Sequence, residues 1–87
     1  MNKNILITGA SKGIGKEIAI GLKELGHNIF LTARNEDLLK ETAKICDAKA
    51  YICADLSNEN DLNKLETFIN GNKIDILINN AGLYIYK

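Results

Sequence analysis

Asn4-Ile5-Leu6-Ile7-Thr8-Gly9-Ala10-Ser11-Lys12-Gly13-Ile14-Gly15 is the stretch that decides how this chain folds. Its first five residues are β-rich, and their centre, Ile5-Leu6-Ile7, is apolar without alternation, as expected of a parallel strand covered on both faces. Three glycines follow, and then Ile14, Ile18, Leu22 and Leu25 recur at helical spacing until Gly26, which suits a left-handed C-terminal cap. Three glycines alone make only a tight turn. Between an apolar strand and an amphipathic helix they make a phosphate loop: backbone amides approach an anion closely, and the helix end adds unsatisfied N–H groups and a favourable dipole. No side-chain cap competes for that end.

Outward from this unit, the runs Asn28–Thr32, Ala50–Ala54 and Ile74–Asn79 read as further strands, each separated by enough chain for a crossover helix. The second helix begins near Asn35 with Glu36 and Asp37 in its first turn, and Leu38, Leu39, Ala43 and Ile45 form its apolar stripe. The third starts after Ser57 and buries Leu62, Leu65, Phe68 and Ile69. Right-handed crossovers put the first two helices on one face and the third on the other, which predicts the strand order 3-2-1-4. The fold class is α/β: a Rossmann-like parallel sheet, part of a doubly wound fold. Its topological switch point lies between strands one and four, where open α/β sheets bind ligands at the carboxyl ends of their strands.

Composition narrows the function. The 87 residues include no proline and no tryptophan, and the formal net charge is zero. They read as one domain, with interleaved charges that give no field for nucleic acid or an anionic membrane. No segment approaches the roughly 20 apolar residues that span a bilayer, so a cytoplasmic location is expected. Cys46 and Cys53 read as free, reduced thiols. With a single histidine, His27, read as a turn residue, and no Cys-x-x-Cys, no metal site is expected.

Specificity is written at the strand ends. About 20 residues past a glycine loop, NAD-binding sites place an acidic residue on the ribose hydroxyls. Here Ala33 stands at that position and Arg34 follows; a guanidinium pairs well with a 2′-phosphate, and Lys12 can approach the same group. NADP is therefore the expected cofactor. After strand three, Asp55 can accept from an adenine amine and Leu56 can offer its amide; alternatively, Asp55 and Ser57 punctuate the turn and cap the next helix.

The Thr-Gly-x-x-x-Gly-x-Gly spacing of Thr8–Gly15, Asp55-Leu56 and Asn79-Asn80-Ala81-Gly82 together resemble, in order, the segments of the classical short-chain dehydrogenase/reductase family. The resemblance implies that Gly9, Ser11 and Lys12 line the adenosine side of the cofactor. It further implies that Ile14 touches the pyrophosphate, Gly13 and Gly15 permit close approach, and Asn80, Ala81 and Gly82 steady the central sheet and reach the adenosine ribose.

The family's catalysis is similar to proton transfer by a tyrosine paired with a lysine four residues later, helped by a serine and an asparagine. In the tail Leu83-Tyr84-Ile85-Tyr86-Lys87 neither tyrosine has that spacing to Lys87. The expectation is that residues 1–87 are the NADP-binding N-terminal half of an oxidoreductase, with no catalytic residue, an uncovered strand-four edge and no turnover alone. The full-length protein, a homo-oligomer, would reduce a carbonyl or oxidise an alcohol. A non-catalytic nucleotide-binding or redox-sensing module and a non-functional truncated remnant are the alternatives.

Overall fold

The computed structural model describes residues 2–80. Its elements in chain order are β1 (Asn4–Thr8), α1 (Gly13–Glu24), β2 (Asn28–Ala33), α2 (Glu36–Ile45), β3 (Ala50–Cys53), α3 (Glu59–Gly71) and β4 (Ile76–Ile78). All pairings are parallel and the sheet order is β3-β2-β1-β4, as the crossover rule predicts. β4 is shorter than its apolar run, and β2 extends one residue further, to Ala33.

Side chains that alternate along β1 and β2 divide the core in two. Ile5, Ile7, Ile29 and Leu31 pack with Ala19 of α1 and Leu39 and Ala43 of α2. Leu6 and Phe30 point the other way and meet Leu65 of α3, with Phe68 and Ile69 against them; the Phe30 and Phe68 rings meet edge to face, 6.2 Å between centroids. Both faces of the central strands are covered, which is why their sequence shows no polar alternation.

The helical stripes differ from the sequence expectation in detail. α1 buries Gly15 and Ala19, with Ile18 and Leu22 beside them, whereas Ile14 and Leu25 are 72% and 74% exposed. Small residues hold the contact line because they let the helix backbone approach the sheet. In α2 the buried positions are Leu39, Thr42 and Ala43, and Ile45 is exposed. At roughly 100° per residue, Ile45 lies about 240° around the helix from Leu39. Leu62 likewise turns to solvent, while Leu65 carries the contact.

Caps set the boundaries. Asn35 Oδ1 accepts from the Leu38 amide at 3.0 Å, and Asn58 Oδ1 accepts from the Asp61 amide at 3.0 Å, so Asn58 rather than Ser57 starts α3. α1 ends as expected at Gly26, with φ +93°. The Gly26 amide donates to the Lys23 carbonyl and the His27 amide to the Leu22 carbonyl, the double bond pattern that satisfies orphan carbonyls at a helix end. β4 pairs only with β1 among the described residues, and Ile76 and Leu77 are exposed along it. No helix among those residues is long and apolar enough to cross a membrane.

Candidate nucleotide-binding site

A cleft of about 740 Å³ opens over the carboxyl ends of β1, β2 and β3, within the roughly 300–1,000 Å³ typical of small-molecule sites. The glycine loop supplies Gly9, Ser11, Lys12 and Gly13. The end of β2 and the start of α2 supply Thr32, Ala33, Arg34, Asn35 and Leu38, and Ala54, Leu56 and Asn80 complete it. The structure thus brings together seven of the residues singled out in the sequence: Gly9, Ser11, Lys12, Gly13, Arg34, Leu56 and Asn80. Ile14 lines an adjoining hollow instead, Gly15 and Asp55 are not among the lining residues, and Ala81 and Gly82 lie outside the described residues, as do Tyr84, Tyr86 and Lys87. Thr32, Asn35, Leu38 and Ala54 were not legible as lining residues, because only the tertiary fold shows which strand-end residues face the opening.

The loop is built to present backbone. Gly9 and Gly13 have φ of 62° and 61°, the left-handed region that penalises a Cβ by about 1–2 kcal/mol. Beyond Gly13 nothing lies within 4 Å of where a Cβ would stand, leaving its backbone open to a ligand. Lys12 is the N-cap of α1, in extended conformation and making no side-chain cap bond, so the first amides of α1 stay available to an anion. Two bonds fix the loop's position: the Ala10 amide donates to the Thr32 carbonyl at 3.3 Å, and the Thr42 hydroxyl donates to the Ser11 carbonyl at 3.2 Å.

The end of β4 is fastened to the same loop. The Asn80 amide donates to Thr8 Oγ1 at 2.9 Å, Thr8 Oγ1 donates to Asn79 Oδ1 at 2.9 Å, and Asn80 Nδ2 donates to the Gly9 carbonyl at 3.2 Å. Thr8→Val keeps the shape but strands the Asn80 amide and the Asn79 oxygen. It is expected to cost about 1–3 kcal/mol, read from the urea midpoint of unfolding.

Charge among the cleft's lining residues is positive. The ion pairs among the described residues, Lys23–Asp47 and Lys64–Asp61, involve neither Lys12 nor Arg34. The Arg34 backbone is held by Cys53, whose thiol donates to the Arg34 carbonyl at 3.2 Å. Thr32 Oγ1, buried in β2 at the cleft, has no hydrogen-bond partner among the described residues.

Asp55 shapes the turn behind Leu56. Its Oδ1 accepts from the Ser57 amide at 2.9 Å and the Ser57 hydroxyl at 2.7 Å, and its own amide donates to Asp61 Oδ2 at 2.8 Å. The Ser57 bonds, helped by the charge of Arg34, hold its carboxyl below the ordinary carboxylate range. Because the folded pKa is depressed, its contribution to stability is present above about pH 3.9, the ordinary value. That contribution is lost as the pH falls through the lower folded value. Ser57→Ala is expected to move the Asp55 titration, followed by carboxyl NMR, back up toward the ordinary value; an unmoved midpoint would contradict this assignment.

A doubly wound parallel sheet with a glycine loop and an α1 N-terminus at its switch point defines a dinucleotide-binding domain. The family model described as short chain dehydrogenase matches residues 3–87, and the chain belongs to that family, whose members bind a nicotinamide cofactor. A very-long-chain 3-oxoacyl-CoA reductase of Pyricularia oryzae is 41% identical over 85 residues, covering 88% of this chain and 26% of that protein. The Pseudomonas aeruginosa RhlG/NADP active-site complex superposes with a TM-score of 0.82 at 37% identity, over 93% of this chain and 35% of that one. An NAD+-bound xylitol dehydrogenase superposes with a TM-score of 0.81 at 30% identity, over 93% of this chain and 34% of that one. The chain therefore spans about a quarter to a third of the length of these relatives.

Proposed function

We propose that residues 1–87 are the N-terminal, NADP(H)-binding part of a cytoplasmic oxidoreductase. The full protein would reduce a carbonyl or oxidise an alcohol, and the dinucleotide supplies the hydride chemistry when bound. One observation carries the choice of cofactor: Ala33 occupies the position of a ribose-binding acid, while Arg34 and Lys12 line the same cleft and neither forms an ion pair among the described residues. The residues present fit the group. Gly13 and the first amides of α1 would meet the phosphates, Gly9, Ser11 and Lys12 would line the adenosine side, Arg34 and Lys12 would take the 2′-phosphate, and Leu56 and Ala54 would form the apolar wall for adenine. Asn80 holds the loop in place beside the ribose.

Similarity to an NADP complex supports the reading, but fold alone does not discriminate, since the NAD+-bound neighbour superposes equally well. The side chains at the end of β2 discriminate. Titration with NADPH and NADH, followed by nucleotide fluorescence, is expected to show tighter binding of the phosphorylated form; equal affinities would overturn the assignment. No residue pair among the 87 has Tyr-x-x-x-Lys spacing. Material of these residues alone is therefore expected to bind NADPH without oxidising it when a carbonyl compound is added.

A further inference from the structure

We propose that the side-chain amide of Asn35 is a third determinant of NADP specificity, donating from Nδ2 to the 2′-phosphate beside Arg34; this rests on the NADP reading above. Asn35 has two jobs available and its geometry splits them. Its Oδ1 is committed to the Leu38 amide at 3.0 Å, capping α2. That bond orients the planar amide, so Nδ2, a donor of two hydrogens, is directed away from the helix. Asn35 is exposed and lines the same cleft as Arg34 and Lys12, and Nδ2 makes no hydrogen bond to any described residue.

An arginine on an exposed strand end loses much side-chain freedom when it grips a ligand. A capping asparagine has already lost its own, because the helix holds it in place. Its donor is preorganised, and a preorganised donor adds to affinity at little further entropic cost. Glu36 and Asp37 stand in the first turn of α2, so a phosphate arriving here approaches two carboxylates. A neutral amide donor presents a partial positive charge to the phosphate without forming an ion pair with those acids.

The test uses the smallest ligands that differ at this point, 2′,5′-ADP and 5′-AMP, titrated by calorimetry into the protein and two variants. Asn35→Ala removes cap and donor together. Asn35→Asp keeps an oxygen to cap α2 but removes the donor, and the thermal midpoint reports whether the cap survived. The unaltered protein is expected to prefer 2′,5′-ADP; no preference would overturn the NADP reading and this proposal with it. If that preference is present, both variants are expected to weaken 2′,5′-ADP binding by about tenfold or more, leaving 5′-AMP within about twofold. The Asn35→Asp loss is expected to be the larger, because its carboxylate also repels the phosphate. A preference unchanged in Asn35→Ala would overturn the role of Asn35 while leaving that of Arg34 intact. Equal weakening of both ligands in Asn35→Ala would assign Asn35 to α2 capping alone and also overturn the proposal.

Discussion

Gly15→Ala is expected to destabilise the fold by about 2–3 kcal/mol and to weaken NADPH binding by more than tenfold, although Gly15 does not line the cleft. A Cβ here would press into the Gly9 carbonyl oxygen and stand 2.6 Å from Asn80 Nδ2. The carbonyl belongs to backbone fixed by β1, and the amide is bonded to that same carbonyl, so neither yields cheaply. α1 would have to lift off the sheet, taking Ala19 out of the core and its free amides away from the phosphates. Gly21, on the exposed side of the same helix, has nothing within 4 Å of its Cβ position. Gly21→Ala is therefore expected to stabilise α1 by about 0.5–1 kcal/mol. Urea unfolding of the two variants side by side checks both signs, and equal effects would show that helix propensity, not packing, governs Gly15.

Arg34→Ala is expected to weaken NADPH binding by about 10- to 150-fold, the equivalent of losing a hydrogen bond to a charged group, and to leave NADH within about twofold. The exposed position of Arg34 favours the lower end of that range, since water and salt screen its charge. Lys12→Ala should reduce NADPH affinity less, because its flexible ammonium grips as a point charge rather than as a fork. If both cations hold one phosphate, the double variant should lose less than the sum of the single losses. Raising the ionic strength should weaken NADPH binding more steeply than NADH binding in the unaltered protein, and the difference should shrink in the double variant. Fluorescence titrations across a salt series read all of these, and a salt slope common to both cofactors would remove Arg34 and Lys12 from the phosphate.

Much of this site was legible beforehand because it is local. The glycine loop, the strand before it and the helix after it are contiguous, and backbone conformations at Gly9 and Gly13 follow from residue type. The Ala33-Arg34 substitution of base for acid is likewise read by counting from the loop. Asp55 illustrates the boundary: the sequence allows an adenine contact or a turn-shaping role, and the structure shows the turn-shaping bonds to Ser57. Which face of a helix is buried was harder. Ile14, Ile45 and Leu62 are apolar and periodically placed, yet all are exposed, because apolar spacing does not say how closely a helix sits on its sheet.

By itself the sequence determined the element order, the parallel sheet with β1 beside β4, the glycine loop and the family, since these depend on periodicity, glycine chemistry and crossover handedness. Only the tertiary structure decided what joins distant segments. The Asn4 backbone amide donates to the Asp75 carboxylate, its Nδ2 donates to the carbonyls of Asn72 and Lys73, and its Oδ1 accepts from Asn28 Nδ2, tying the start of β1 to both neighbouring strands. Thr8 and Asn80, 72 residues apart, lock β4 to the phosphate loop, and Gly15 is required because those groups converge on it. Contacts of this kind arise when the sheet closes, so spacing along the chain carries no trace of them. They place Gly15 in the packing of α1 against the loop.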